Sequence, residues 1–411
     1  MKKEASISFD EAVSKSLELI VRKPHSEWVS LFQALGRTLS KEITCRKNLP
    51  SYNNAAMDGF AIKHADCGEK LTIQKTILAG DIVEACLSEN TCYKIMTGAK
   101  IPDDVDTIIP FEDVSFYDDT FVQIPTYVKK GNAFRVKGEE RTVGSLLLSE
   151  GEVIDASVIA LLASQGIVNV EVYRKIQIAV FSTGDELKMP WENASEDAIY
   201  DVNSMALIAI FAEHGFEAHY CGVIPDNLEA ASSYFSTMKQ YDVLVTSGGI
   251  SMGEADFVEK ALVANGLESI FHGINIKPGK PTMMGKMGNT IVASMPGNPL
   301  AAFVNALLFL VPILKKAQGQ KNFNFQCIYA QNKVSFKVKS GRANLVLGKL
   351  ENGIFEVCEE NRYGSGMIIP LVYSNALLIT DDMTLSCNAG ENVKVLSFYS
   401  LFSANKVSFK N

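Results

Sequence analysis

The chain has 411 residues, 47% of them hydrophobic and 21% charged, and its 39 basic against 47 acidic residues give a formal charge of −8. That length suggests about three domains, each able to bury its own core. A net negative chain without a lysine or arginine run offers no broad field to phosphate backbones or anionic lipid, which argues against nucleic-acid and membrane partners.

The first 44 residues read as helical, with Phe9, Val13, Leu17 and Ile20 at helical spacing and Leu31, Leu35 and Leu39 repeating it around Gly36. From 45 to 140 the pattern becomes short β-like runs (LTIQKTIL, CYKIM, DTIIPF, TFVQIP) separated by Gly, Pro and Asp turns. Residues 141–172 return to helix in ASVIALLASQG and end on the strand VNVEVY, so 1–44 and 141–172 are expected to form one discontinuous helical domain. The 45–140 lobe would be its insertion. Over 173–317 strands alternate with longer helical stretches, the signature of an open, mostly parallel α/β sheet. Residues 318–411 alternate as strands again, a small C-terminal β domain.

The most apolar stretch, Pro299–Leu314, is about 16 residues long and interrupted by Asn305 and Pro312, shorter than the roughly 20 a spanning helix wants, so a buried core helix is expected. The eight cysteines (Cys45, Cys67, Cys86, Cys92, Cys221, Cys327, Cys358, Cys387) show no CxxC pair and no metal-ligand spacing. The opening MKKEASISFDEAV lacks the apolar centre of a secretory signal, and a reducing cytoplasm is the expected location. The five histidines have neither HExxH nor paired spacing and read as structural or surface residues.

In an open α/β sheet, ligands gather beyond the carboxyl ends of the strands. Three such ends run into small, flexible loops: Ser182-Thr183-Gly184-Asp185-Glu186-Leu187, Ser247 to Asp256, and Met295-Pro296-Gly297-Asn298-Pro299. Ser247-Gly248-Gly249 with Ser251 and Gly253 lets backbone N–H groups approach an anion closely, although the P-loop spacing is absent. Asn298 reads as an N-cap before Pro299 at the first helical position. Lys277-Pro278-Gly279-Lys280-Pro281 places two ammonium groups about a turn, an arrangement suited to phosphate or another oxyanion. Glu186, Asp226 and Asp256 are the loop carboxylates that a Mg²⁺ site beside phosphate would use.

Read together, Asn54 to Ala61 (NAAMDGFA), Met96-Thr97-Gly98-Ala99, Gly138-Glu139-Glu140, Ser182 to Leu187, Ser247 to Asp256, Lys277 to Pro281 and Pro296 to Pro299 resemble the molybdopterin molybdenumtransferase (MoeA) family, which is related to the E domain of gephyrin. The motifs occur in the family's order and span nearly the whole chain. The resemblance implies an α/β multidomain fold whose central open sheet is of the molybdopterin-binding type, in an elongated homodimer. It implies molybdenum insertion into adenylylated molybdopterin, from molybdate and with Mg²⁺, releasing AMP. Carried over residue by residue, Asp58, Glu186, Asp226, Asp256, Lys277 and Lys280 would be catalytic. Thr97, Glu139, Thr183, Gly184, Ser247, Gly248, Gly249, Ser251, Gly253, Pro296, Gly297, Asn298 and Pro299 would bind substrate, and Glu186, Asp226 and Asp256 the metal. Asp58 and Thr97 would act on the other subunit's α/β domain. The implied partners are an upstream molybdopterin adenylyltransferase and recipient molybdoenzymes or their chaperones. The rival readings are a non-catalytic gephyrin-like scaffold and a molybdopterin-binding module. Two departures stand out: Glu140 replaces the usual aspartate, and Pro102-Asp103-Asp104-Val105-Asp106 lacks a glycine expected near position 104.

Overall fold

The computed structural model describes residues 6–20, 23–82, 84, 86–184, 186–225, 227–249 and 257–398. The chain divides into two compact units, one comprising Met1–Ser40, Gly151–Asp155 and Asn169–Asn411, the other Lys41–Glu150 and Ala156–Val168.

The first unit is organised by a six-stranded sheet of β1 (Ile178–Thr183), β2 (Ala218–Ile224), β3 (Val243–Ser247), β4 (Leu267–His272), β5 (Met283–Met287) and β6 (Thr290–Met295), in the order β2-β1-β3-β6-β5-β4. The β1–β2, β1–β3 and β3–β6 pairs are parallel, and β4 and β5 extend the sheet antiparallel. Side chains alternate across a strand, and the alternation is legible here: Ile178, Val180, Val243, Val245, Ile291 and Ala293 enter one core, while Ala179, Phe181, Leu244 and Val292 enter the other. Burial on both faces is why these strands read as apolar runs. Because the chain places β2 on one side of β1 and β3 on the other, the strand order reverses at β1 and β3, the position where such sheets open a crevice.

The expected apolar helix is observed as one continuous run, Pro299–Ala317, long and apolar enough to cross a membrane by length and composition, but 83% buried inside the fold. Its centre, Ala306–Leu310, widens into a π-helical segment. Pro312 has no N–H to give the Leu308 carbonyl and its ring crowds that turn, and a π segment relieves the crowding. The helix Phe9–Glu18, capped by the Ser8 hydroxyl accepting from Glu11 N at 3.2 Å, seats Ala12 in the same core, and Phe9 meets Phe309 with ring centroids 5.4 Å apart.

Beyond the long helix, β7 (Ile328–Asn332), β8 (Ala343–Glu351), β9 (Ile354–Val357), β10 (Ala376–Ile379) and β11 (Asn392–Ser397) close into a small barrel in the order β8-β9-β7-β11-β10, with β10 pairing back onto β8. Closure leaves these five strands without a free edge. The short strand Ile276–Lys277 pairs in parallel with Ala343 and Asn344 of β8, tying the lysine turn to the barrel.

The second unit holds a five-stranded sheet whose strands, in spatial order, are Thr107–Pro110, Gly59–Ile62, Thr91–Ile95, Lys70–Ile77 and Phe121–Gln123, together with the helix Ala156–Ser164. These are the β runs expected of the lobe. The helical spacing of Leu31, Leu35 and Leu39 is not realised. Ser26–Ser30 is a strand paired antiparallel with Asn169–Tyr173, Leu31–Gln33 is a single 3₁₀ turn, and Gly36 adopts φ 76. Strand pairing outweighs a spacing that a left-handed glycine interrupts.

Candidate active site

At the β1/β3 crevice, Thr183 Oγ1 donates to the Ser247 carbonyl at 3.0 Å, pinning the ends of the two strands together. Gly248 follows with φ 82, and a Cβ there would stand 2.6 Å from Thr183 Oγ1, so the turn requires glycine. Asn203, on the first turn of the helix Val202–Glu213, bridges the crevice from the side: its Nδ2 donates to Ser247 Oγ and to the Gly297 carbonyl, both at 2.8 Å. One amide thus holds the loops after β3 and β6 in register. Among the described residues its Oδ1 is buried without a partner.

The Lys277–Lys280 turn faces the same space. A cavity of about 790 Å³ is bounded by Gly248 and Gly249, by Lys277 to Pro281, by Pro296, Gly297 and Asn298, and by a wall from the barrel region that includes Arg342, Asn344, Tyr363 and Ser365. Among the described residues, Lys277, Lys280 and Arg342 line it, no Asp or Glu does, and none of the three cations has an ion pair. Three cations around one hollow suit an anion. The Tyr363 hydroxyl accepts from Leu347 N at 2.6 Å, and burial pushes its pKa up, so it stays a neutral phenol in this wall.

Asn298 occupies the N-cap position as expected, yet its side chain makes no cap; its Nδ2 donates instead to Ser365 Oγ at 3.0 Å. The Leu300 N–H donates to the Ser365 carbonyl at 3.1 Å, so the helix entrance is stitched to the barrel-side wall. Pro299 opens that helix but does not line the cavity. Glu186 is exposed and its carboxylate folds over Gly184, where a Cβ would lie 2.6 and 2.7 Å from its two oxygens. That glycine makes room for a hard oxygen donor, one without a hydrogen bond among the described residues, which fits a Mg²⁺ ligand. Asp226, Ser251, Gly253 and Asp256 lie outside the described residues, and among the described residues no three His, Cys, Asp or Glu side chains form a metal cluster.

In the second unit, Asp58 Oδ1 accepts from both Thr97 N and Thr97 Oγ1 at 2.7 Å. Two charge-assisted bonds to the ionised form, the hydroxyl's the stronger, hold the Asp58 pKa below its ordinary 3.8. The motif glycine beside it, Gly59, enters a strand where a Cβ would collide with the Ile109 carbonyl. Glu139 accepts from Val136 N at 2.9 Å and from Arg135 Nε at 3.2 Å, while Arg135 also reaches Glu140 at 2.6 Å. Glu140 thus serves in an exposed ion-pair cluster, a place where aspartate and glutamate both suffice. Asp104 needs no glycine: it avoids positive φ and its Oδ2 accepts from Leu87 N at 2.7 Å and Tyr93 OH at 3.2 Å.

Three family models match the chain: the MoeA N-terminal region (domain I and II) over residues 7–166, a probable molybdopterin binding domain over 179–316, and the MoeA C-terminal region (domain IV) over 329–398. The molybdopterin molybdenumtransferase of Haemophilus influenzae is 32% identical over 402 residues, 95% of this chain and 98% of that one. The chain belongs to the molybdopterin molybdenumtransferase family. It is an enzyme of that type, with a role in molybdenum cofactor biosynthesis. A Nostoc molybdopterin molybdenumtransferase is 28% identical, covering 90% of this chain and 88% of its own length. A crystal structure of the molybdopterin biosynthesis MoeA protein from Pyrococcus horikoshii is 26% identical and superposes with a TM-score of 0.83, covering 96% of this chain and all of that one.

Within this molybdenumtransferase-family fold, the structure brings together Gly248, Gly249, Lys277, Lys280, Pro296, Gly297 and Asn298 around one cavity, with Thr183 and Ser247 directly behind them. Sequence reasoning missed Asn203, Arg342, Asn344, Tyr363 and Ser365. Asn203 carried a signal, since Asp201-Val202-Asn203-Ser204 opens the first helix after the first crevice loop. The barrel-side residues carried none, because nothing local in GRANLVLG or NRYGSG indicates which loop they will face.

Proposed function

We propose that the chain inserts molybdenum into adenylylated molybdopterin in the cytoplasm, using molybdate and Mg²⁺ and releasing AMP. The observation that supports this most is the cavity wall, where Lys277, Lys280 and Arg342 converge with no Asp or Glu among the described lining residues. Molybdate is a compact dianion, and three cations in a concave site offset the cost of removing it from water. Arginine adds a planar fork suited to two oxygens of a tetrahedral anion, which a lysine cannot supply.

Cleaving the phosphoanhydride of the adenylylated pterin asks for positioning and charge neutralisation more than for a protein nucleophile. In this reading the Ser247 to Gly253 loop would hold a phosphate or the pterin through backbone N–H groups. Mg²⁺ would be held by Glu186, Asp226 and Asp256, and when bound it supplies positive charge to the phosphate oxygens. Lys277, Lys280 and Arg342 hold the oxyanion, and Asn203 keeps the two crevice loops at a fixed separation. The same reading includes a homodimer in which Asp58 and Thr97 complete the partner's site, and the four-domain division at residues 44, 140, 172 and 317. It also includes supply by a molybdopterin adenylyltransferase and delivery to molybdoenzymes or their chaperones.

Turnover tests it: purified protein with adenylylated molybdopterin and Mg²⁺ should release AMP only when molybdate is added. Asp256→Ala and Lys277→Ala should each abolish that release while leaving the far-ultraviolet circular dichroism unchanged. Full rates from both variants, or no molybdate-dependent AMP from the wild type, would overturn the reading.

A further inference from the structure

The strongest anchor of the lysine turn lies outside the cavity, on the long helix beneath it. Asn305 is fully buried, at the end of the α-helical stretch Pro299–Asn305 and just before the π segment, among the aliphatic residues of the main core. A primary amide in such a place is costly unless it is hydrogen-bonded. Its Nδ2 donates to the Gly279 carbonyl at 2.9 Å and to Thr282 Oγ1 at 2.6 Å, and Thr282 Oγ1 itself donates to the Gly279 carbonyl at 2.9 Å. The Gly279 carbonyl only accepts, so the amide's orientation is fixed by its partner. Gly279 adopts φ 104, and a Cβ on it would stand 2.6 Å from Asn305 Oδ1, so the backbone of the turn rests directly on the amide.

Gly279 sits between Lys277 and Lys280. Lys277 is held on one side by its pairing with Asn344 of β8, and the Lys280 carbonyl accepts from Ile274 N and Thr282 N, both at 2.9 Å. Beneath the turn, Asn305 and Thr282 are the side chains that hold the apex. Two ammonium groups carried so close together repel one another, and an unanchored turn would relax to separate them. We propose that Asn305 is a positioning residue for oxyanion recognition: it holds the lysine turn in the shape that presents Lys277 and Lys280 to one anion, without touching that anion itself. The inference rests on the reading of this cavity as the oxyanion site.

The test is steady-state AMP release with molybdate and the adenylylated pterin varied separately, in wild type, Asn305→Leu and Thr282→Val. Asn305→Leu keeps the branched four-atom outline, with bulkier methyl groups, and removes the donor; Thr282→Val removes the hydroxyl of the same network and serves if the first variant fails to fold. The expected result is a rise of about tenfold or more in KM for molybdate in Asn305→Leu, and a smaller rise in Thr282→Val. KM for the pterin nucleotide should stay within about twofold, as expected for a residue acting on only one of the two ligands. An unchanged molybdate KM in both variants, or equal rises in both KM values, would overturn the inference while leaving the function intact. A wild type without molybdate-dependent turnover would overturn the function, and this inference with it.

Discussion

At the scale of single residues, the site depends on groups whose charge is set by one or two neighbours. Asp58 is the plainest case, a surface carboxylate whose ionised form takes both the hydroxyl and the N–H of Thr97. Its pKa is lower folded than unfolded, so its stabilising contribution is present above 3.8 and is lost as pH falls through the lowered value. Thr97→Val should therefore move the Asp58 carboxyl titration, followed by carbon NMR, upward toward 3.8, the surviving Thr97 N–H bond retaining part of the shift. An unmoved titration would show that the hydroxyl does not hold the carboxylate. In the cavity, Lys277 and Lys280 were legible because proline and glycine mark the turn between them, whereas Arg342 was not, since an arginine after Ser340-Gly341 looks like any solvated loop cation.

At the scale of elements, the loops after β1, β3 and β6 were readable because small residues directly after a buried apolar run have few other uses. The helix Val202–Glu213 illustrates what was not. Its capping residue His214 is half-buried, its Nδ1 lies 2.9 Å from the Ile210 carbonyl, and the partial burial depresses its pKa below 6.5. The unfolded chain takes up that proton first, so stability should fall as pH drops from 6.5 through the depressed value and should owe nothing to this group above 6.5. Thermal unfolding of His214→Gln should show a shallower loss of Tm between pH 7 and 5 than the wild type; parallel curves would refute it. The strand Ser26–Ser30, read as part of a helical stretch, is imposed by its distant partner Asn169–Tyr173, which outweighs local propensity. The turn at Glu359, Glu360 and Asn361 places three successive residues at positive φ. That turn is costly, and it sits where the barrel region contributes Asn361 and Tyr363 to the cavity wall.

At the scale of the whole molecule, the cavity is assembled from segments far apart in the chain. The glycine turn comes from residues 248–249, the lysines from 277–280, the arginine from 342 and the serine from 365, so only the folded barrel completes it. A homodimer with a shared site makes a quantitative prediction. If Asp58 acts on the partner's α/β domain, inactive Asp58→Ala and inactive Lys277→Ala chains, unfolded and refolded together, should regain roughly a quarter of wild-type turnover, because half the dimers are mixed and each mixed dimer has one intact site of two. No recovery would place Asp58 in the same chain's site. The central claim is that the cavity lined by Lys277, Lys280 and Arg342 recognises an oxyanion, and calorimetric titration with molybdate tests it directly. One molybdate per chain should bind the wild type, and Arg342→Ala should weaken it by about 2 kcal/mol, roughly thirtyfold, as expected for a lost charge-assisted hydrogen bond. Binding that is absent from the wild type, or undiminished in Arg342→Ala and Lys277→Ala, would contradict the account.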